Sequence, residues 1–337
     1  MLIYMTPHQL RTLVAVVETG SVRSAARQLV VSQPAVSAAL ASLQAELGIA
    51  LVEREGRGLR ITRAGVVLAD YGRRITGLME EAVLATRSEA DPTSGTLRLA
   101  AVTTAGEHVV PAVLASFRLA NPAIEMMLEV GNRTRVWDLL SHGAVDLAVG
   151  GRPPVGLLSL ARRPHELVVV SAPGASLAGD AQRCSSSKDR GLPSKKIPVV
   201  HVDLGALAAS TWLVREEGSG TLATTQELFE SLGIAPLCLT LGSNGAVVEA
   251  VRNGLGIALI SRDAVAHELA DGELVECQTG NLPLLRHWHL VARPGRLPAT
   301  SSLFVDHLVK AGAFLSTQGD PLQLLEPANL RQVRSTT

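Results

Sequence analysis

The sequence predicts an α+β protein: a small helical unit with a β-hairpin, then one long helix, then a large α/β region. Three observations carry that expectation. Two short apolar helix patterns crowd together in SAARQLVVSQPAVSAALASLQAELG, residues 24–48. A single helical pattern then runs from Thr62 to about Ser88, and from Gly95 onward strands alternate with helices. A chain of 337 residues has room for two or three domains.

The first helix is marked by Thr6 as N-cap, Pro7 at the first helical position and Gln9 where a capping box needs it. Leu10, Leu13, Val14 and Val17 form its apolar stripe, and Gly20 can close it. Ser21 caps a short second helix through Ala25, Ala26 and Leu29, and Val30-Val31 make the turn. Ser32 caps a third helix that tolerates Pro34 in its first turn, buries Val36, Leu40, Leu43 and Leu47, and stops at Gly48. An ordinary helical hairpin would explain the helix pair alone. The next stretch shifts the reading, because Leu51-Val52 and Leu59-Arg60-Ile61 read as two short strands around the turn EREGRG. A hairpin placed there is a wing, and the unit becomes a winged helix-turn-helix spanning residues 6–63.

That geometry assigns roles. The amino end of the third helix carries Ser32, Gln33, Pro34, Ser37 and Ala38, short groups that can approach base edges. Arg23 and Arg27, with the wing arginines Arg54, Arg57, Arg60 and Arg63, are expected to hold phosphates. The formal net charge of the chain is zero, so a nucleic-acid reading rests on this local charge. Residues 64–94 form the linker. Its helix places Leu68, Tyr71, Ile75, Leu78, Ala82 and Ala85 on a heptad-like seam expected to pair two copies, and ADPTSGT is the hinge.

Residues 6–65 resemble the DNA-binding domain of LysR-type transcriptional regulators. GSVRSAARQLVVSQPAVSAALASLQAELGIALVER and GRGLRITRAG follow that pattern almost without gaps. Two departures stand out: Ala38-Ala39 where the family usually has arginine or another long polar residue, and Val52 where it usually has phenylalanine. FRLANPAIEMMLEVG, GAVDLAVGG and AVRNGLGIALIS resemble the family's effector-binding domain more loosely. The resemblance implies a two-lobed domain similar to periplasmic solute-binding proteins, here residues 95–310. Lobe one is expected at 95–162 and 268–300, lobe two at 163–267, and a tail at 311–337. It also implies a double-stranded DNA operator, a homodimer or homotetramer, and a small metabolite that shifts lobe closure. RNA polymerase stands as a further candidate partner. VREEGSGT, LGSN and GLGIALIS resemble the subgroup that regulates carbon-fixation or sulfur-assimilation operons and senses phosphorylated or carboxylated metabolites.

In α/β folds ligands lie beyond the carboxyl ends of strands. Three strand ends therefore offer an effector site for an anionic metabolite: Thr103-Thr104, Ser219-Gly220-Thr221 and Ser243-Asn244. Taken singly, each hydroxyl reads more readily as an N-cap. GSGT lacks the lysine of a P-loop. No catalytic constellation is discernible, so no enzymatic activity is expected; the rival class is a solute-binding or enzymatic α/β protein whose helical N-terminus does not bind DNA. No cofactor is expected. His287 and His289 flank Trp288 and share a strand face, but no third metal ligand is evident. Cys184, Cys238 and Cys277 are too few and too scattered for a disulfide framework, which fits a reducing cytoplasm. MLIYMTPHQL has neither the basic nor the apolar region of a secretory signal, Met5 is as good a start as Met1, and no apolar run spans a membrane. Residues 179–196, which hold Lys188, Lys195 and Lys196, read as a flexible polar insertion.

Overall fold

The computed structural model describes residues 5–55, 58–90, 94–175, 199–280 and 282–317. Arg57, Cys184, the 179–196 insertion, residues 91–93 of the hinge and the tail after residue 317 lie outside the described residues. The chain divides into two units, Met1–Gly95 with Leu139–Val145, and Thr96–Asp138 with Asp146–Thr337. Among the described residues no helix is long and apolar enough to cross a membrane.

The first unit contains α1 (Pro7–Thr19), α2 (Val22–Gln28), α3 (Gln33–Leu47), the strands β1 (Val52–Glu55) and β2 (Gly58–Ile61), and α4 (Arg63–Ala90). The capping box of Thr6 and Gln9 is present, Ser21 and Ser32 cap α2 and α3, and Gly20 and Gly48 are left-handed at the ends of α1 and α3. Leu13, Val16, Ala25, Val36, Leu40 and Leu43 form one core with Leu51 and Ala69. Polar side chains set the wing against that core. Gln44 Oε1 accepts from the Leu51 and Val52 amides at 2.8 and 3.0 Å. Thr62 Oγ1 donates to the Ala50 carbonyl at 2.8 Å and accepts from the Gly65 amide at 3.0 Å. Gly65 is required, since a Cβ there would run into the Leu51 carbonyl oxygen. The hairpin differs from expectation: Glu53, Arg54 and Glu55 belong to β1, because Glu53 and Arg60 pair directly across the ladder and hold the strands together beyond Val52.

The second unit follows as β3 (Gly95–Val102), α5 (Thr103–His108), α6 (Val110–Ala120), β4 (Ile124–Gly131), α7 (Arg133–Ser141), β5 (Leu147–Gly150), β6 (Leu158–Ser171), β7 (Val199–His201), α8 (Leu204–Ala209), β8 (Trp212–Arg215), α9 (Gly220–Leu232), β9 (Cys238–Leu241), α10 (Asn244–Arg252), β10 (Ala258–Ser261), α11 (Ala266–Asp271), β11 (Val275–Gln278), β12 (Leu284–Ala292), α12 (Ala299–Lys310) and β13 (Leu315–Ser316). The main sheet has the order β4-β3-β5-β12-β6-β11-β7, β10 and β13 also pair with β6, and β8 and β9 form a parallel pair. β6 and β12 run antiparallel from Leu284–Leu167 to Ala292–Leu158. They are the two strands shared by the lobes. One core gathers Leu97, Phe117, Leu147, Trp288 and Phe304; two others, around Trp212 and around Val251, build the second lobe.

Two expectations need correction. The chain leaves the second lobe later than residue 268. Leu269 and Leu274 share a core with Val168, Cys277 and Leu282 share one with Trp212, and β11 pairs with both β6 and β7. The return is made by β12. The folded domain also passes residue 310, because Phe314 is buried and β13 pairs with β6. After β3 the helix that begins at Thr103 breaks at Val109, two residues before Pro111, which has no amide hydrogen to continue the ladder.

Candidate nucleic-acid interface and effector cavity

The amino end of α3 is bare. Ser32, Gln33, Pro34, Ser37 and Ala38 are all exposed, while Val36, Leu40 and Leu43 anchor the helix from behind. Gln9 Nε2 donates to Ser42 Oγ at 3.1 Å, tying α1 to the outer side of α3. Arg23 and Arg27 are exposed on α2, and Arg27 donates to Ser24 Oγ at 3.3 Å. Of the wing arginines, Arg60 is engaged with Glu53, whereas Arg54 stands exposed with no carboxylate partner among the described residues. The structure thus puts short polar groups at the helix end and cations to either side in the chain, the composition a duplex requires.

On α4, Tyr71, Ile75, Leu78 and Ala82 are exposed as a seam should be. Leu68 instead packs on the first unit's own core. Val67, Met79 and Val83, which heptad counting passed over, are exposed as well.

In the second unit a cavity of about 590 Å³ lies at the carboxyl ends of the parallel strands of both lobes. Thr103 and Thr104 enter it from the first turn of α5, and Ser219, Gly220 and Thr221 from the start of α9. Thr103 Oγ1 donates to the Gly131 carbonyl at 3.2 Å. Ser219 is buried at the N-cap of α9 yet makes no side-chain capping bond, so its hydroxyl is left for the cavity. Gly218, at φ 84°, lets the chain pass beside Asn132 and Thr134, where a Cβ would be crowded. The third predicted strand end divides. Ser243 caps α10 through the Ala246 amide at 3.1 Å and does not line the cavity. Asn244 is also off the lining, but its amide reaches Thr104.

The sequence reading missed the cations. Arg133, Arg152, Arg215 and Arg286 line the cavity with His165, His287 and His289. Arg215 is neutralised by Glu216, whose oxygens lie 2.7 and 2.9 Å from its Nε and terminal nitrogen. Burial alone would raise the Glu216 carboxyl; the hydrogen bonds and charge of Arg215 hold it below its ordinary value. Arg286 lies 3.4 Å from Glu227. Arg133 and Arg152 have no carboxylate partner among the described residues; Arg133 instead donates to the Arg152 carbonyl at 3.5 Å. Both follow strand ends, Gly131-Asn132-Arg133 after β4 and Gly150-Gly151-Arg152 after β5, so the rule that found Thr104 would have found them too.

His165 and His289 carry no compensating positive charge at neutral pH. Burial pushes His165 down to about 4, with its ring stacked on Trp288 at 3.8 Å and 7°. Burial likewise lowers His289 to about 4, helped by His287 and Arg162, and its Nδ1 lies 2.9 Å from Ser159 Oγ. The rings of His287 and His289 are 6.2 Å apart, and no group of three metal-ligating side chains exists among the described residues.

Comparison with known proteins agrees with both halves. Residues 7–66 match the model of the bacterial regulatory helix-turn-helix protein, lysR family. Residues 90–187 and 197–313 match that of the LysR substrate binding domain. The HTH-type transcriptional regulator CbbR of Xanthobacter flavus is 33% identical over 320 residues, covering 92% of this chain and 90% of its own. The regulatory domain of Synechocystis PCC6803 CcmR, solved in complex with 2-PG, is 28% identical with a TM-score of 0.55, covering 65% of this chain and 97% of that one. Full-length CbnR complexed with its target DNA shares the fold at 20% identity, with a TM-score of 0.61 over 91% of this chain and 100% of that one. A winged helix-turn-helix with the amino end of its third helix exposed, followed by a two-lobed effector-binding domain and matched to both family models, places the chain in the LysR family of DNA-binding transcriptional regulators.

Proposed function

We propose that the chain is a CbbR-like regulator that binds its operator through the amino end of α3 and responds to a small anionic metabolite held in the cavity. The observation that carries the metabolite class is the pair of guanidinium groups, Arg133 and Arg152, which have no carboxylate partner among the described residues and lie beside the Ser219 hydroxyl, which makes no capping bond. An anion there gains charge-assisted hydrogen bonds and the amide groups at the start of α9. The subgroup reading draws on the CbbR of Xanthobacter flavus, and the 2-PG complex of CcmR names one anion to try.

Because the cavity is lined from both lobes, a ligand touching both favours their closed arrangement. It shifts DNA binding only by the difference in its affinity for the two arrangements. The exposed face of α4 (Tyr71, Ile75 and Leu78) is the surface through which two copies pair, and a dimer presents two α3 helices to two half-sites. The reaction of the chain with its ligand is binding, without chemistry.

Two assays test this on the full chain. A thermal-shift screen of phosphorylated and carboxylated metabolites, 2-PG among them, should raise the unfolding temperature with one or more of them. A mobility shift with duplex selected from a random pool should weaken steeply as salt rises. A protein stabilised by no anion would lose the effector reading, and one with salt-independent binding would lose the phosphate contacts.

A further inference from the structure

We propose that Asn244 is a positioning residue: it fixes the direction of the Thr104 hydroxyl proton, so that the cavity presents a hydrogen-bond donor at that point. The inference rests on the cavity being the effector site and names which ligand atoms one part of it accepts.

The argument follows from what each group can do. A guanidinium has only donors. Arg215 is 6% exposed, and one of its terminal nitrogens meets the Asn244 side chain. The atom it meets must therefore be the amide oxygen. The amide nitrogen then faces Thr104 Oγ1, 2.9 Å away, and an amide nitrogen can only donate. Thr104 must accept, and its own hydrogen is left over. No acceptor among the described residues takes that hydrogen, and Thr104, 6% exposed, lines the cavity. Glu216 holds the far end of the relay by binding the other two nitrogens of Arg215. Donation thus starts at Arg215, which gives to Glu216 on one side and on the other to Asn244, and from there it runs through Asn244 to Thr104, joining the second lobe to the first across 140 positions of sequence. A ligand oxygen that accepts is welcomed at Thr104. A ligand group that can only donate meets a hydroxyl whose proton points at it, with one of its two acceptor positions already taken by Asn244.

Asn244→Asp reverses the relay. A carboxylate accepts from Arg215 and from Thr104 alike, so the hydroxyl turns inward and its proton is consumed. The added negative charge would also repel an anion, and a double-variant cycle separates the two effects. Affinity for 2-PG is measured by calorimetry on the full-length wild type, Thr104→Val, Asn244→Asp and the double variant. The relay predicts roughly tenfold or greater loss for each single variant, and a double variant that loses about tenfold less than the product of the two. Thr104→Ser should stay within about threefold of wild type, since it keeps the hydroxyl. Losses that multiply, or an Asn244→Asp protein that binds as wild type does, overturn the proposal. The same four proteins are unfolded thermally without ligand. The relay predicts non-additive shifts in midpoint, and additive shifts overturn it whichever anion binds. A wild type that fails to bind 2-PG removes that anion from the effector reading and leaves the unfolding cycle to decide the relay.

Discussion

The two binding regions of this chain use similar small polar residues in opposite ways. At the amino end of α3, Ser32 at the cap and Ser37 on the helix stand in solvent, and what orients them is the buried stripe of Val36, Leu40 and Leu43 behind. In the cavity, Thr104 and Ser219 are themselves buried, and Thr104 is oriented by partners from distant parts of the chain. The first surface leaves its partner to supply the hydrogen bonds. The second arrives with its donors already aimed, as a site for a small ligand must, because such a ligand has few atoms with which to repay ordering.

The sharpest way to break the contrast is to charge the exposed surface. Ser37→Asp sets a carboxylate against the duplex, and operator affinity should fall by about 100-fold or more while the unfolding temperature and 2-PG response stay as in wild type. Anisotropy with a labelled duplex reads the first and thermal shift the second. Next comes Arg152→Ala, which should weaken anion binding by about tenfold, with little change in operator affinity without ligand. Equal loss in both would merge the two sites. Gly65→Ala tests the seating of the wing: its Cβ meets the Leu51 carbonyl, and denaturant unfolding should show a loss of about 2 kcal/mol.

Acid should act on the second region. His165 and His289 have folded pKa values near 4, below the 6.5 of an unperturbed histidine. Between these values the unfolded chain binds protons that the folded chain does not, so stability is full above pH 6.5 and falls as pH drops toward about 4. Replacing His165 with glutamine should flatten that part of the curve of unfolding temperature against pH. The smallest effect is at Val30, a β-branched residue held at φ 56° and 90% exposed in the turn before α3. Val30→Asn should raise stability by about 1 kcal/mol, because asparagine tolerates the left-handed region.

The same contrast explains what the sequence disclosed. Thr6, Gln9, Gly20, Ser32 and Gly48 act within a few residues of themselves, so their roles could be read from spacing alone. The cavity is assembled from strand ends far apart in the chain. Thr104 and Ser219 were legible as hydroxyls at helix starts, but the lack of a carboxylate beside Arg152 among the described residues and the reach of Asn244 to Thr104 depend on tertiary contacts. The point of return to the first lobe was misplaced for a related reason: strand pairing, which local pattern does not reveal, keeps β11 in the second lobe. The break at Val109 was legible, with Pro111 in plain view.

The central claim is that the uncovered end of α3 lies against the bases. A photoreactive amino acid placed at position 37, illuminated with saturating selected duplex, tests it directly. The account predicts an adduct on the operator that is lost when unlabelled duplex competes. A protein that shifts the duplex fully yet forms no adduct from position 37 would contradict it.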